Sequence, residues 1–595
     1  MANCASSLPS RRSFELHNEV RELRRQLAAN QPSSPVPESI LAATGDSAPN
    51  DPTSPPQWVL GEEDRHPRAT DGDCAAVAQL TSGGLGILSN RVEHLWTPGL
   101  TTKPVIDLPQ PPTEVAAVVP GGRALGNVEL SVTDIDELFS IYMNHCHPFI
   151  PFLDPRKSPH DYYESSELLF WSIISAASRR SQSQPTLLAK LARNVTDLLW
   201  RSLRSIPYSL RVVQSLIVLC AWPFPTSSST ADPTYLLTGM MVLLGSQMGL
   251  HQPLNVQDFT KISTNLNADE HSEWAKTWKT CNIVAHSVSV GCGLPGVVQL
   301  NEWPLNVTPE YMSSALYDAS LRSHLQIERF RRRVSLAFAS NDLNSTVSTS
   351  GNERLALYRL LNSVFIDLEH EIIQLSPARN AFTQHIFFIL DTCVLIRNIA
   401  ITRIYLSAAR LHLHAFYLFD DPALDGYTER IMTLYQTACS LIQQSLDLES
   451  QENSFFSYCP FFYCQVFVCA AFILLKIISS HFQSLLDADA GNILLNAAIS
   501  ALRKMSIANN DLPARLSDVI GFFCSLPDHR VIGGQTTDGL RLRVRNRLSM
   551  SIVYDSLWEW RRHFQASEEF DNDRPNTEGK SPTVSGPQVL SLLAD

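Results

Sequence analysis

The stretch FFYCQVFVCAAFILLK, residues 461–476, is the longest apolar run of the chain. Only Gln465 interrupts the run before Lys476 ends it. It is shorter than the roughly 20 residues that a membrane-spanning helix needs. A segment that is apolar on every side is typical of a helix that is surrounded by protein. The run therefore predicts a buried core helix, around which other helices pack.

Apolar residues recur at helical spacing on both sides of this run. They predict further helices at 167–180, 186–203, 209–222, 233–248, 272–290, 354–373, 387–408, 430–446, 493–507 and 545–564. Sustained period-two alternation between hairpin turns, which would indicate strands, is scarce. We therefore predict that residues 128–565 form a large all-α domain, with helices stacked in layers rather than in a four-helix bundle.

The first helix of this domain carries its own start and stop signals. Two pairs, Ser131 with Asp134 and Thr133 with Asp136, have a spacing that resembles a capping box, in which each side chain accepts a hydrogen bond from the backbone of the other residue. Apolar residues between positions 135 and 142 then lie on one helical face. We expect the helix to end at HPFIPF, residues 147–152, because proline cannot continue a helix.

A second helical pattern lies near the start of the chain, at residues 11–30. Leu16, Val20, Leu23 and Leu27 follow one another at spacings of four, three and four, which is the seam of a short coiled coil. About two heptads are marginal in isolation. We interpret these four residues as a dimerisation seam, and an isolated amphipathic helix is the alternative.

Two other segments have the composition of disordered chain. Residues 31–127 contain a proline-rich stretch with serine, aspartate and asparagine between the prolines. Such a composition blocks helices and buries little apolar surface, so it predicts a disordered linker. Residues 566–595 combine acidic side chains around Phe570 with prolines and a leucine-rich end, and they predict a disordered acidic tail.

Composition narrows the class of protein. The 595 residues carry a formal net charge of −12, which argues against a uniformly basic nucleic-acid binder. The first residues lack the apolar core of a secretory signal. The 12 cysteines do not have the dense spacing of a disulfide framework. They predict reduced, mostly buried thiols in an intracellular protein without a membrane segment.

No motif predicts a catalytic, cofactor or metal site. Phosphate-binding loops, dinucleotide-binding turns and His-Glu-x-x-His are all missing from the sequence. Three sets of potential ligands have spacings that point their side chains apart on a helix. These sets are His145-Cys146-His147, then Cys459 with Cys464 and Cys469, and then His412 with His414. We therefore expect them to be packing residues, and we predict that the chain is not an enzyme.

The strongest local positive cluster is Arg541, Arg543, Arg545 and Arg547, which alternate with apolar residues. Contact with phosphate is one use for such a cluster. Its mixture with apolar residues favours pairing with acidic neighbours on the folded domain.

Four groups of segments occur in a distinctive order along the chain. They are IDELFSIYMNHCHPFIP with LLFWSIISAASR (135–151 and 168–179), VQSLIVLCAWP with YLLTGMMVLLGSQMGLH (213–223 and 235–251), the tryptophan-bearing segment 274–295, and residues 467–476 with MSIVYDSLWEWR (550–561). Their order and spacing resemble the regulatory region of fungal zinc binuclear cluster transcription factors. Within that family they are most similar to regulators of leucine biosynthesis, weak-acid response and secreted proteases.

The resemblance implies a nuclear regulator of RNA polymerase II transcription, with a six-cysteine zinc cluster ahead of a linker, a coiled coil and a helical regulatory region. Only Cys4 precedes the seam here, and the sequence contains no Cys-x-x-Cys pair. We therefore expect no zinc or other cofactor in this chain. Either the cluster lies upstream of Met1, which we prefer, or the chain is a cluster-less coregulator that pairs with a full-length factor.

The same resemblance sets the expected partners. A second copy or a related chain is expected to pair at Leu16, Val20, Leu23 and Leu27. DNA is expected to bind only through an upstream zinc cluster. A coactivator is expected to bind the acidic tail.

Overall fold

Helices make up nearly all of the regular structure in the computed structural model. It describes residues 121–259, 266–296, 315–339, 351–375, 389–452, 454–526 and 540–572. The helices of the first half are α1 Val132–Ile141, α2 Pro159–Ser165, α3 Glu167–Ala177, α4 Leu187–Arg204, α5 Leu210–Ala221, α6 Thr234–Gln247 and α7 Ala268–Gly291. Those of the second half are α8 Ala315–Ala339, α9 Gly351–Leu375, α10 Ile389–His414, α11 Tyr427–Glu452, α12 Phe455–Tyr458, α13 Phe461–Ile478, α14 Ala488–Met505, α15 Leu512–Ser525 and α16 Ser551–Asn572.

The prediction of a mostly helical, multi-helix domain is confirmed, with one small addition. Arg123–Leu125 (β1) and Val128–Leu130 (β2) form an antiparallel hairpin. Gly126 turns between them at φ +58°, a conformation that favours glycine. The hairpin lies partly inside the segment 31–127 that composition assigns to a disordered linker. It is ordered because Leu125, Val128 and Leu130 are buried against the helices.

The start of α1 follows the sequence closely. The Ser131 hydroxyl accepts a hydrogen bond from the Asp134 amide, and the Asp134 carboxylate accepts one from the Ser131 amide, both at 3.2 Å. Of the two predicted pairs, the structure forms the capping box with Ser131 and Asp134. After Ile141 the backbone widens into a π-helical turn and then tightens into a 3₁₀ turn at His147–Phe149. The regular helix thus ends before the proline rather than at it.

The apolar run forms α13, and its bounds are Phe461–Ile478. Helices α7, α11, α14, α15 and α16 pack around it. Among the described helices, α13 is the one that is long and apolar enough to cross a membrane, but 89% of its apolar window is buried inside the fold. This burial is typical of a core helix, as the sequence predicts.

Three expectations about helices differ from the structure. Helices α2, α8, α12 and α15 are missing from the predicted set. The last helix begins at Ser551 rather than at residue 545, because the preceding arginine-rich segment is irregular and ends in a 3₁₀ turn at Leu548–Met550. It continues to Asn572, seven residues into the segment that composition assigns to a disordered tail. The coiled-coil segment 11–30 lies outside the described residues.

Candidate functional site

A buried polar cluster lies where α7, α8 and α10 meet, and we call it the Glu328 network. Its members are His286 and Ser287 of α7, Glu328 and Arg331 of α8, and Tyr405 of α10. Glu328 and Arg331 have no exposed surface. Charged side chains are rarely buried to this degree unless they are paired. The cluster is therefore the most unusual chemical feature in the described part of the chain.

Hydrogen bonds converge on both oxygens of the Glu328 carboxylate. His286 Nδ1 lies 2.5 Å from Oε2. Arg331 Nη1 donates to Oε1 at 2.6 Å, and Ser287 Oγ donates to the same oxygen at 3.0 Å. The Tyr405 hydroxyl also donates to Oε1. The carboxylate is thus held by donors from three helices.

These contacts determine the charge of Glu328. Burial raises the pKa of its carboxyl, but the charge of Arg331 and the hydrogen bonds from His286 and Tyr405 outweigh burial. The net result is a pKa lowered to about 2. Glu328 is therefore ionised at physiological pH, and with Arg331 it forms a buried ion pair.

Arg331 is only partly satisfied. Its guanidinium lies 4.3 Å from the ring centroid of Phe462 and 5.8 Å from that of Tyr405, so it also makes cation–π contacts. Its Nε and Nη2 atoms have no hydrogen-bond partner among the described residues. A buried donor without a hydrogen-bond partner costs free energy. The ion pair with Glu328 is therefore the main interaction that offsets the cost of burying the Arg331 guanidinium.

A second polar chain continues from α8 toward the C-terminal segment. His412 Nδ1 lies 2.6 Å from Ser549 Oγ, and His412 Nε2 lies 3.0 Å from Ser335 Oγ. His414 on the same helix contacts Thr437 Oγ1 at 2.9 Å and Asn362 Oδ1 at 3.1 Å. Burial lowers the pKa of both histidines. They are neutral connectors between helices, which agrees with the prediction that they do not share a ligand.

A cavity lies beside the Glu328 network, between α5, α7 and α13. The space inside it that water-sized molecules can occupy is about 40 Å³. Aromatic and aliphatic side chains such as Phe149, Ile283 and Phe462 line most of it. Ser287 and Tyr405 belong to both the network and the cavity wall. A ligand in this cavity would therefore touch residues that hold α7, α8 and α10 together.

The Glu328 network does not have the arrangement of a hydrolytic triad. In such a triad a histidine lies between the acid and the nucleophilic hydroxyl, so that it can take the hydroxyl proton. Here Glu328 accepts from both His286 and Ser287, and Ser287 Oγ lies 2.6 Å from the Tyr405 hydroxyl rather than against a base. The geometry supports a structural role for these groups.

The potential metal ligands stay apart, as their spacing predicts. His145 stacks on Tyr458 with ring centroids 4.6 Å apart, whereas His147 Nε2 lies 3.0 Å from the backbone oxygen of Leu153. Burial raises the pKa of Cys146 and of Cys469 to about 12, so both thiols are protonated. Within the described ranges, no three histidine, cysteine, aspartate or glutamate residues are grouped to hold a metal ion.

The arginine cluster folds onto the helical domain. Arg543 lies over the ring of Trp558 at 4.5 Å and pairs with Glu559 at 3.6 Å. Arg545 Nη2 donates to the backbone oxygen of Phe419 at 2.8 Å. Arg547 Nη1 donates to the backbone oxygen of Cys292 at 3.3 Å. These contacts agree with the expectation that the cluster packs against the domain.

Of the predicted site residues, Leu16, Val20, Leu23 and Leu27 lie outside the described residues, so dimerisation stays a prediction. The Glu328 network was missed at the sequence level. A usable signal exists in α8, where His324, Glu328, Arg331 and Ser335 follow one another at spacings of four, three and four. That pattern places four polar side chains on one face of a helix.

Comparison with known protein families assigns the domain to which these helices belong. Residues 139–400, which include α7, α8 and most of α10, match the fungal specific transcription factor domain. This chain carries a fungal transcription factor domain. The predicted family resemblance is therefore confirmed at the level of the domain, and the expectation of a non-enzymatic protein agrees with it.

Individual relatives extend the similarity. The chain is 24% identical to the regulatory protein LEU3 of Saccharomyces cerevisiae over 486 residues, which covers 73% of this chain and 52% of LEU3. It is 32% identical over 194 residues to the putative transcription factor SEF1 of Kluyveromyces lactis, and 30% identical over 215 residues to the transcriptional regulatory protein SEF1 of Candida albicans. These matches cover 32% and 36% of this chain, and 16% and 22% of the SEF1 proteins. The chain thus spans about half the length of LEU3 and less of the SEF1 proteins, and no solved structure matches it.

Proposed function

We propose that this chain is a nuclear regulator of RNA polymerase II transcription in a fungus, and that its helical domain is the regulatory region of a zinc-cluster factor. The observation that carries the proposal is the domain match at residues 139–400, together with similarity to LEU3 over 73% of the chain. LEU3 is named a regulatory protein, and the two SEF1 relatives are named a putative transcription factor and a transcriptional regulatory protein. The buried, fully hydrogen-bonded Glu328 carboxylate supports a structural rather than a catalytic interior.

DNA binding in this proposal depends on a zinc cluster. The six-cysteine arrangement needs thiolates that are close together, and only Cys4 precedes the coiled-coil seam in this sequence. We propose that the cluster is encoded upstream of Met1. The dimer would then form through Leu16, Val20, Leu23 and Leu27, and its geometry would set the spacing of the DNA half-sites.

A second role is favoured by one specific observation. No Cys-x-x-Cys pair occurs in the 595 residues. A chain of this kind could act as a coregulator that forms a heterodimer with a full-length zinc-cluster factor through the same seam. Translation of the genomic sequence upstream of Met1 separates the two roles, because a six-cysteine cluster there supports the first and excludes the second.

Chromatin immunoprecipitation of the protein tagged at its C-terminus and expressed from its native locus, which retains any cluster encoded upstream of Met1, tests the proposal. We expect occupancy at a discrete set of promoters. A variant with Leu16→Glu and Leu23→Glu would lose that occupancy because both charges fall on the seam. The matched control is Glu22→Gln, which lies on the solvated face and would leave occupancy unchanged. Uniform background signal from a chain that is present in the nucleus would contradict the proposal.

The acidic tail has its own test. We propose that residues 566–595 bind a coactivator groove, that helix α16 extends beyond Asn572 on binding, and that Phe570 and the terminal leucines are the apolar anchors. Fusion of this segment to a heterologous DNA-binding domain would then activate a reporter gene, and Phe570→Ala would reduce the activation. A silent fusion that accumulates to the same level would refute this part of the proposal.

A further inference from the structure

A groove that is open to solvent runs along the line where α10 and α11 meet. Water-sized molecules can occupy about 370 Å³ of it, compared with about 40 Å³ of the cavity beside the Glu328 network. The apolar part of its lining consists of Ile396, Ile399, Ala400, Ile404 and Leu448. Ile396 is 55% exposed, so apolar surface meets water here. Contiguous exposed apolar surface is typical of an interaction site, whereas single exposed apolar side chains are not.

Two contacts between the helices fix how they are aligned along the groove. Arg397 Nε lies 2.9 Å from the Glu452 carboxylate, and Ser407 Oγ donates to Gln444 Oε1 at 2.9 Å. Residue numbers therefore rise along α10 in the direction in which they fall along α11. The two helices are antiparallel, and positions 397–407 of α10 lie beside positions 444–452 of α11.

The charged side chains that line the groove are Arg403 on α10 and Asp447 on α11, and both are exposed. Given the alignment of the helices, these two residues lie at about the same level along the groove. Asp447 accepts a hydrogen bond from Gln443 at 2.8 Å. Neither Arg403 nor Asp447 is in an ion pair within the part of the chain that the structure describes. The groove thus presents one positive and one negative charge on either side of an apolar lining.

A second copy of the chain matches this pattern. In a two-fold symmetric interface each surface patch contacts the same patch on the other copy. A two-fold axis parallel to the helices would lay α10 of each copy over α11 of the other without a shift along the groove. Arg403 of each copy would then face Asp447 of the other, and the apolar linings would cover each other. A partner segment with charges of one sign would instead place a like charge against one of these two residues.

We propose that the groove between α10 and α11 is a homodimer interface of the helical domain, with two reciprocal ion pairs between Arg403 and Asp447. This interface is separate from the coiled-coil seam and does not depend on the proposed function. The lining residues span about 12 Å of α10 and about 11 Å of α11, at 1.5 Å per residue. Stable interfaces bury about 1,200–2,000 Å², so a patch of this length associates weakly by itself. Pairing at the seam would strengthen it by raising the local concentration of the second copy.

Sedimentation velocity tests the proposal on a parent variant, the full-length chain with Leu16→Glu and Leu23→Glu, in which the seam is disrupted. We expect the parent to shift from monomer toward dimer between about 1 µM and about 200 µM at low salt. Ile396→Glu should weaken this association about 10-fold or more, because it places a charge in the apolar contact. The matched control Ile493→Glu, at a position on α14 that is 69% exposed, should leave association unchanged. A parent that stays monomeric would overturn the proposal and favour another occupant, such as a segment of the same chain.

Charge reversal identifies the contact. Arg403→Asp would set two acidic groups against each other and Asp447→Arg two basic groups, so each variant alone should associate about 10-fold or more weakly than the parent. An equimolar mixture of the two variants should associate as the parent does, because every aspartate then faces an arginine.

This recovery requires contact between two copies, so a folding defect cannot produce it. Circular dichroism establishes that each variant is folded, and if Ile396→Glu does not fold, the mixture still decides the outcome. A mixture that associates as weakly as the separate variants would contradict the assignment, and so would a single charge reversal that associates like the parent.

Discussion

Replacing Glu328 with glutamine removes the negative charge at the centre of the polar network and leaves Arg331 buried. The carboxylate accepts hydrogen bonds from Ser287, Arg331 and Tyr405 and lies within 2.5 Å of His286 Nδ1. In the glutamine side chain an NH₂ group replaces one carboxylate oxygen. This group donates hydrogen bonds and cannot accept them from the donors that surround it. The Arg331 charge would then be left without its ion-pair partner in a site with no exposed surface.

The expected loss of stability is large. Removal of one partner from a buried ion pair costs roughly 3–5 kcal/mol. Unfolding entropy is about 2.1 cal/mol/K per residue, so for roughly 400 ordered residues this loss lowers the melting temperature by about 4–6 °C. By contrast, Arg503 and Asp518 form an exposed pair, with side chains 64% and 71% exposed. Exposed pairs contribute less than about 1 kcal/mol.

Thermal unfolding of the full-length chain at pH 7 measures both effects. We expect Glu328→Gln to lower the melting temperature by about 4–6 °C, and the control Asp518→Asn to lower it by about 1 °C or less. A double variant, Glu328→Gln with Arg331→Met, would recover part of the loss because both buried charges are gone. A Glu328→Gln variant that melts together with the control would refute the reasoning.

Three further predictions concern pH, a turn and the thiols. Burial lowers the pKa of three histidines, His147, His324 and His414, to about 4, 4 and 3. Below pH 6.5 these histidines therefore take up protons in the unfolded chain but not in the folded chain. Urea titrations should show that the free energy of unfolding falls as the pH is lowered from 6.5 to 4, by up to about 1.4 kcal/mol per histidine per pH unit. A free energy of unfolding that does not change over this pH range would contradict the prediction. Gly293 has φ +64°, and an added Cβ would lie 2.4 Å from the Arg547 backbone oxygen, so Gly293→Ala should destabilise the fold by more than about 1 kcal/mol in the same titrations. Gly521 in α15 has open space, so Gly521→Ala should stabilise by about 0.5–1 kcal/mol, and equal effects of the two changes would refute the argument. Cys146 and Cys469 should resist maleimide at pH 8 in the folded chain and react in urea, because their pKa values are raised to about 12; rapid native labelling would count against their burial.

The sequence predicts best where one physical effect dominates. The bounds of α13 agree with the apolar run because every face of that helix is buried. The capping box at Ser131 is local and is also present as predicted. In the arginine-rich segment, arginines and apolar residues alternate with a period of two, so the pattern did not favour a helix clearly. There the Asp555 carboxylate accepts hydrogen bonds from the backbone amides of Arg543 and Val544, which stabilises an irregular, non-helical path ahead of Ser551.

Helix α8 was missed because its charged residues suggest a solvated segment. Its buried face instead alternates apolar residues with His324, Glu328 and Arg331, whose partners are on α7 and α10. Those partners, His286 and Tyr405, are separated from Glu328 by 42 and 77 positions in the chain. The spacing of residues along one sequence cannot predict contacts between side chains that are so far apart in the chain. The Glu328 network and the adjacent cavity therefore emerge only from the packing of the helices.

The most direct test of the central claim is a tethering assay. The full-length chain is fused to a heterologous DNA-binding domain, and transcription of a reporter with the matching site is measured against that domain alone. A transcription regulator should change reporter output several-fold in either direction, and Glu328→Gln should weaken the change by destabilising the helical domain. A fusion that occupies the reporter promoter and leaves its transcription unchanged would contradict the assignment.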